Sequence, residues 1–236
     1  MNTLKTNLRL IKCHYSFCFT KKTIILISLL FSISLIYNFI SLNSLIDSPS
    51  SISEKESYIE STISFTSLIV TFFSNIVFSY SFLSKQDSYL AYIITGKINK
   101  TNYYITKIIT IILVIMVFMI FEIVSFFVPF IFHKNIYVEL GDLLIFLELL
   151  KIVIYYGFFS LILVILFDNM YVILLPLVLY IFSTNINVLD KFILKIISFF
   201  IPIVDEGFRL INNNGIMFCL IISLFVISIF IYTNRD

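Results

Sequence analysis

Residues 84–107, SKQDSYLAYIITGKINKTNYYITK, separate two long apolar runs and set Lys85, Lys97, Lys100 and Lys107 against a single acid, Asp87. The stretch is too long and too patterned for a simple turn. Leu90, Ile94 and Ile98 recur at steps of four, Tyr89 and Ile93 flank them, and Ser88, Ala91, Thr95 and Asn99 fall on another side. This spacing predicts a short amphipathic helix that breaks near Gly96, with Asn99 or Thr101 placed to cap the helix that follows. A helix lying parallel to the membrane and joined rigidly to both neighbours can transmit a push. A passive interfacial anchor has the same composition.

The rest of the chain makes that island an exception. Hydrophobic side chains are 60% of 236 residues and charged ones 13%, about half the charged fraction of a water-soluble globule. The composition is that of an integral membrane protein, in a single domain covering 1–236. One alanine (Ala91), five glycines and no tryptophan, beside abundant Ile, Phe, Asn, Lys and Tyr, point to AT-rich codons and a bacterial cell membrane. A formal charge of +2 is too small to imply nucleic acid as a partner. Cys13, Cys18 and Cys219 are odd in number and lack CxxC spacing, which predicts thiols and neither a disulfide nor a zinc site.

Taken outward from the island, the apolar runs predict six spans of roughly the length that crosses ~30 Å of hydrocarbon: residues 24–42, 63–83, 108–132, 143–167, 171–185 and 216–232. Before the first, Leu4, Leu8, Ile11, Tyr15 and Cys18 form one stripe and Lys5, Arg9, Lys12 and Ser16 another, the pattern of a helix in the membrane surface, with a solvated basic tail as the alternative. No small-residue cleavage site follows, so the first run reads as an uncleaved span. Residues 44–62, rich in Ser and acids, read as a polar loop. In span two Ser64, Ser67, Thr71, Ser74 and Ser81 repeat at three and four, a stripe suited to close helix packing and also to lining a polar path. Pro176 in span five is expected to bend it or free a carbonyl. Residues 186–214 hold Asp190, Lys191, Lys195, Pro202, Asp205, Glu206 and Arg209. Burying the first three would cost roughly 2.5–3.5 kcal/mol each at a helix centre, so two short helices dipping in from the surface and hinged at Pro202 are preferred to a seventh crossing.

Basic residues set the orientation. With the N-terminus inside, Lys5, Arg9, Lys12, Lys21, Lys22, the four lysines of the island and Arg235 face the cytosol, and Lys55, Lys134, Lys191, Lys195 and Arg209 face out. That is the bias of the positive-inside rule, with both termini cytosolic.

Chemistry-bearing patterns are few. There is no GxxxxGK[ST], HExxH or GxSxG, so the chain carries no phosphate loop, zinc-protease or nucleophile-elbow motif of its own. On the six-span topology His14 and His133 lie on opposite sides, which excludes a metal site built on both. Within the spans the charges are Glu122, Glu148 and Lys151. Counting at 1.5 Å per residue puts Glu122 and Lys151 both roughly 12–15 Å below the outer boundary. Glu148, three residues from Lys151, shares its face. A Glu122–Lys151 pair with Glu148 as third member is therefore expected, either as a clasp of the hairpin or as part of a substrate path or switch.

The whole pattern resembles the permease subunits of ABC exporters that move drugs, antimicrobial peptides or polysaccharide outward. A basic interfacial helix, six spans, a cytosolic helix between spans two and three and a dipping pair before span six are the shared architecture. Locally, SYLAYIITGKINKTNYYITKII is similar to the family's loop: Leu90 to Ile94, Gly96, Asn99-Lys100 and Lys107 stand where an apolar helix, a break, a polar pair and a lysine lead into span three. The resemblance implies an all-α, non-catalytic chain that dimerises with itself or with a related permease. It implies coupling to a separate ATPase through Tyr89, Leu90, Ile93, Ile94, Gly96 and Lys97, with ATP and Mg bound by that partner. The short chain and the lack of large extracellular loops are similar to bacteriocin or lantibiotic immunity permeases. The alternative is a non-transporting polytopic membrane protein, a sensor or an anchoring subunit.

Overall fold

Short polar side chains mark the helix starts, because the first turn of a helix leaves amides without partners. Thr20 opens α1 (Lys21–Ile46), its hydroxyl accepting the Thr23 amide at 3.3 Å. Helix α2 covers Ser51–Phe82. Asn99 opens α3 (Lys100–Phe132), its side-chain oxygen accepting the Thr101 amide at 3.1 Å, one of the two caps the sequence offers. Helix α4 covers Leu140–Phe167. The tight turn at Asp168-Asn169 leads into a 3-10 turn, Met170–Ile173, with Asn169 accepting the Tyr171 amide at 3.0 Å. Helices α5 (Leu174–Thr184) and α6 (Asn214–Thr233) complete the series. The computed structural model describes residues 10–15, 20–46, 51–87, 99–132, 140–184, 197, 200–203 and 214–234, and none of them is in a strand.

Among the described residues, five helices carry stretches long and apolar enough to cross a membrane: Lys21–Leu42, Ser57–Phe82, Lys100–Pro129, Leu144–Phe167 and Asn214–Thr233. The apolar segment Met170–Thr184 matches the expected fifth span, 171–185, in extent, and it is shorter than those five. Pro176 sits in the first turn of α5, directly after the 3-10 turn Met170–Ile173, a position where a helix accepts proline readily.

Cross-helix contacts fix the directions. Ser74 Oγ donates to the Val153 carbonyl at 3.1 Å, the Ser79 and Ser160 hydroxyls bond at 2.5 Å, and the Ser84 amide donates to Asp168 Oδ1 at 2.8 Å. Both sets of numbers rise together, so α2 and α4 run side by side in one direction. Tyr37 against Phe65 and Ser41 against Ser61 make α1 antiparallel to α2; Phe73 against Phe118 and Tyr58 against Phe126 do the same for α3. Lys151 against Asn214 and Phe158 against Phe225 align α6 with α4. The inner pair, α2 and α4, is 67% buried in each span, against 22% for α1 and 17% for α6, which places α1 and α6 at the periphery.

Two polar stretches read as loop or island belong to helices. Residues 51–62 extend α2 into the expected polar loop, anchored where Tyr58 is buried and its hydroxyl donates to the Phe126 carbonyl at 3.1 Å. Residues 100–107 extend α3 into the island. At the N-terminus residues 10–15 are helical, and the side chains turned inward are Leu10 and His14 while Tyr15 is 45% exposed. The face that meets the bundle is therefore the one beside the Ile11–Tyr15 stripe.

Candidate functional site

The two roots of the charged island are joined to each other. Lys107 Nζ lies 2.5 Å from Asp87 Oδ1, and the Tyr103 hydroxyl donates to the same oxygen at 3.2 Å. The Lys107 side chain is 1% exposed. Its ammonium stands 4.3 Å from the Phe82 ring centre and 5.3 Å from that of Tyr103. A lysine removed from water survives in such a place because one carboxylate neutralises it and two ring faces attract it. The pair spans the chain on both sides of residues 88–98, binding the end of α2 to the first turns of α3.

Two more contacts converge on this end of the bundle. The His14 ring packs edge-on against Tyr103, centroids 4.9 Å apart at 72°. His14 is buried, and neither ring nitrogen finds a hydrogen-bond partner among the described residues. Burial first, and then the nearby Lys107 charge, push its pKa from 6.5 down to about 4, with Asp87 acting in the opposite sense. On the other side, Asp168 accepts from both the amide and the hydroxyl of Ser84. Asp168 adopts φ 47°, the left-handed region that Asp tolerates better than most residues. The island's entry is thus tied to α2, α3, α4 and the N-terminal turn.

Tyr89, Leu90, Ile93, Ile94, Gly96 and Lys97, the residues expected to face a coupling partner, lie outside the described residues. Of the expected dipping pair only 197, 200–203 and 214 are described; the Tyr155 hydroxyl donates to the Phe200 carbonyl at 2.6 Å and holds that segment to α4.

The expected intramembrane cluster divides in two. Lys151 bonds Glu148 at 2.7 Å and the Asn214 side-chain oxygen at 2.7 Å, so it closes on its own helix and on the start of α6. Glu122 does not join them. It is fully buried, and neither carboxyl oxygen has a hydrogen-bond partner among the described residues. Its neighbours are Ser34 of α1 and Ser125. Equal depth brought Glu122 and Lys151 together on paper; in the structure α3 packs chiefly on α1 and α2 and only slightly on α4, so the two residues point to different partners.

Asn38, one turn beyond Ser34, donates to Ser125 Oγ at 3.2 Å, and Ser125 in turn donates to the Glu122 backbone carbonyl at 2.8 Å. Ser34, Asn38 and Ser41 form an i, i+4, i+7 polar stripe in span one. That stripe was the available signal for this group, hidden among the stronger serine pattern of span two.

No protein-family model matches the chain, and no curated protein matches it in sequence.

Proposed function

We propose that this chain is the membrane permease subunit of an ABC-type exporter, carrying a hydrophobic or amphipathic substrate such as an antimicrobial peptide outward at the expense of ATP bound by a separate ATPase. The observation that carries the proposal is the Asp87–Lys107 pair with its ring contacts. It ties both roots of the charged island to the bundle, so a force applied to residues 88–98 moves α2 and α3 and does not dissipate in a loose linker. In this reading residues 170–184 belong to the fifth of six spans. Both termini and the island face the cytosol of a bacterial cell, and the chain pairs with a second copy or a related permease. A short chain without large extracellular loops is also similar to permeases of the bacteriocin or lantibiotic immunity kind.

Isolation in mild detergent tests it. A nucleotide-binding subunit co-purifies, and Leu90→Asp or Ile94→Asp uncouples its ATP hydrolysis from transport while the membrane subunit stays folded. Absence of any associated ATPase would return the chain to the class of sensors or anchoring subunits.

A further inference from the structure

A carboxyl group with no partner in the middle of a helical bundle calls for an explanation in terms of a ligand. Glu122 is 0% exposed, and among the described residues neither of its oxygens has a hydrogen-bond partner. Two further buried acceptors of the same group are also unpaired: Ser34 Oγ and Asn38 Oδ1. Unmet acceptors outnumber donors here. Ser34 supplies one O–H, Ser125 has given its own to the Glu122 carbonyl, and the Asn38 amide, with one N–H on Ser125, has one more to give, against four unmet acceptor atoms. No charged side chain acts on the carboxyl among the described residues; the groups bearing on it are the Ser34 and Ser125 hydroxyls. Helix α1 brings no charge nearby, because Lys21 and Lys22 sit at its far end. From α2, Tyr58 is committed to the Phe126 carbonyl, and neither it nor Glu60 acts on the carboxyl. From α4, Glu148 and Lys151 pair with each other, and the ionisable groups of α6, Cys219 and Tyr232, do not act on the carboxyl.

One added proton repairs this imbalance. A protonated Glu122 becomes a donor as well as an acceptor, able to serve one of the unpaired oxygens while the Ser34 hydroxyl serves its other oxygen. A single charge is neutralised and no extra volume is required. A metal ion would need several oxygens arranged around a space of its own, while α1 and α3 are in direct side-chain contact here, Asn38 bonded to Ser125 and Phe31 packed on Phe121. We propose that Glu122, Ser34, Asn38 and Ser125 form a proton-binding site between α1 and α3. Its occupancy favours the packed arrangement of the two helices, and admission of water on their separation releases the proton. The site is independent of any ATPase partner.

Infrared spectroscopy of the purified full-length chain in lipid nanodiscs at pH 7 reads the proton directly. The protonated-carboxyl C=O stretch is present in the wild type, lost in Glu122→Gln and shifted in Ser34→Ala; it is unchanged when Na⁺ is replaced by choline. Should Glu122→Gln fail to fold, the Ser34→Ala shift assigns the band. A wild type showing only ionised carboxylate signals would overturn the proposal, and a band that Na⁺ removes would overturn it in favour of an alkali-cation site.

Discussion

Lys107 has exchanged its water for one carboxylate and two aromatic faces, and the energetic weight of that exchange falls on whichever partner is left behind. Lys107→Met strands Asp87 next to apolar rings and is expected to cost about 3–5 kcal/mol. Adding Asp87→Asn recovers most of the loss, because the uncompensated charge is gone. Thermal unfolding in detergent, followed by circular dichroism, measures both, and equal stabilities for the single and double variants would mean that the pair contributes no coupling. His14 gives a second test at the same end. Its docked form is neutral, so protonation favours the undocked state. Docking of residues 10–15 is complete above the ordinary pKa of 6.5 and weakens as pH falls toward about 4, by at most about 1.4 kcal/mol per pH unit. Amide hydrogen exchange of that turn, corrected for intrinsic rates, becomes faster through this window in the wild type and shows no such acceleration in His14→Leu.

At the scale of the helices, α2 and α4 approach closely at Gly157. A Cβ there would overlap the Phe78 ring and come within 2.8 Å of Ser74 Oγ. Phe78 is fully buried and has nowhere to retreat. Gly157→Ala is therefore expected to destabilise by about 1–3 kcal/mol, the usual cost of overpacking, read as a lower unfolding temperature in the same assay; an unchanged temperature would show that the two helices can separate freely. Part of this interface was legible beforehand. The span-two serine stripe does pack, with Ser67 bonded to Tyr180 and Ser74 to the Val153 carbonyl, although Ser64 is exposed and Ser81 turns back to its own helix at the Val77 carbonyl. Helix positions were legible because hydropathy finds them. Helix ends were not, because hydropathy stops where polar residues begin while the backbone bonds of α2 and α3 continue through residues 51–62 and 100–107. The partner of Glu122 was not legible either. Counting residues gives depth, but the direction a side chain faces depends on which helices are neighbours.

For the molecule as a whole, the contacts constrain how often the chain crosses between α4 and α6. Ser84 and Asp168 bond each other, so α2 and α4 end on one side, the side of the charged island. Lys151 bonds Asn214, and Phe158 packs on Phe225, so α6 starts beside the first part of α4 and descends with it. Between residues 168 and 214 the chain must therefore return once, or an odd number of times, to the opposite level. Helix α5 makes that return, with Tyr180 beside Tyr156. With the 3-10 turn before it, the segment from Met170 to Thr184 rises only roughly 22–25 Å, short of a ~30 Å hydrocarbon layer. The Tyr156 hydroxyl donates to Ser183 near the end of α5, only a turn or so of α4 from Lys151. The short helix thus ends near the polar group where α6 begins. The six-span arrangement proposed above then expects Asn214, the start of α6, on the outer side. Single cysteines in a cysteine-free background decide the matter in intact cells. Lys97→Cys and Asn234→Cys are shielded from a membrane-impermeant maleimide until the cells are opened, while Asn135→Cys and Asn213→Cys react from outside. Protection of Asn213→Cys in intact cells, with Asn135→Cys reactive, would mean that α6 starts within the cell and that its alignment with α4 is wrong.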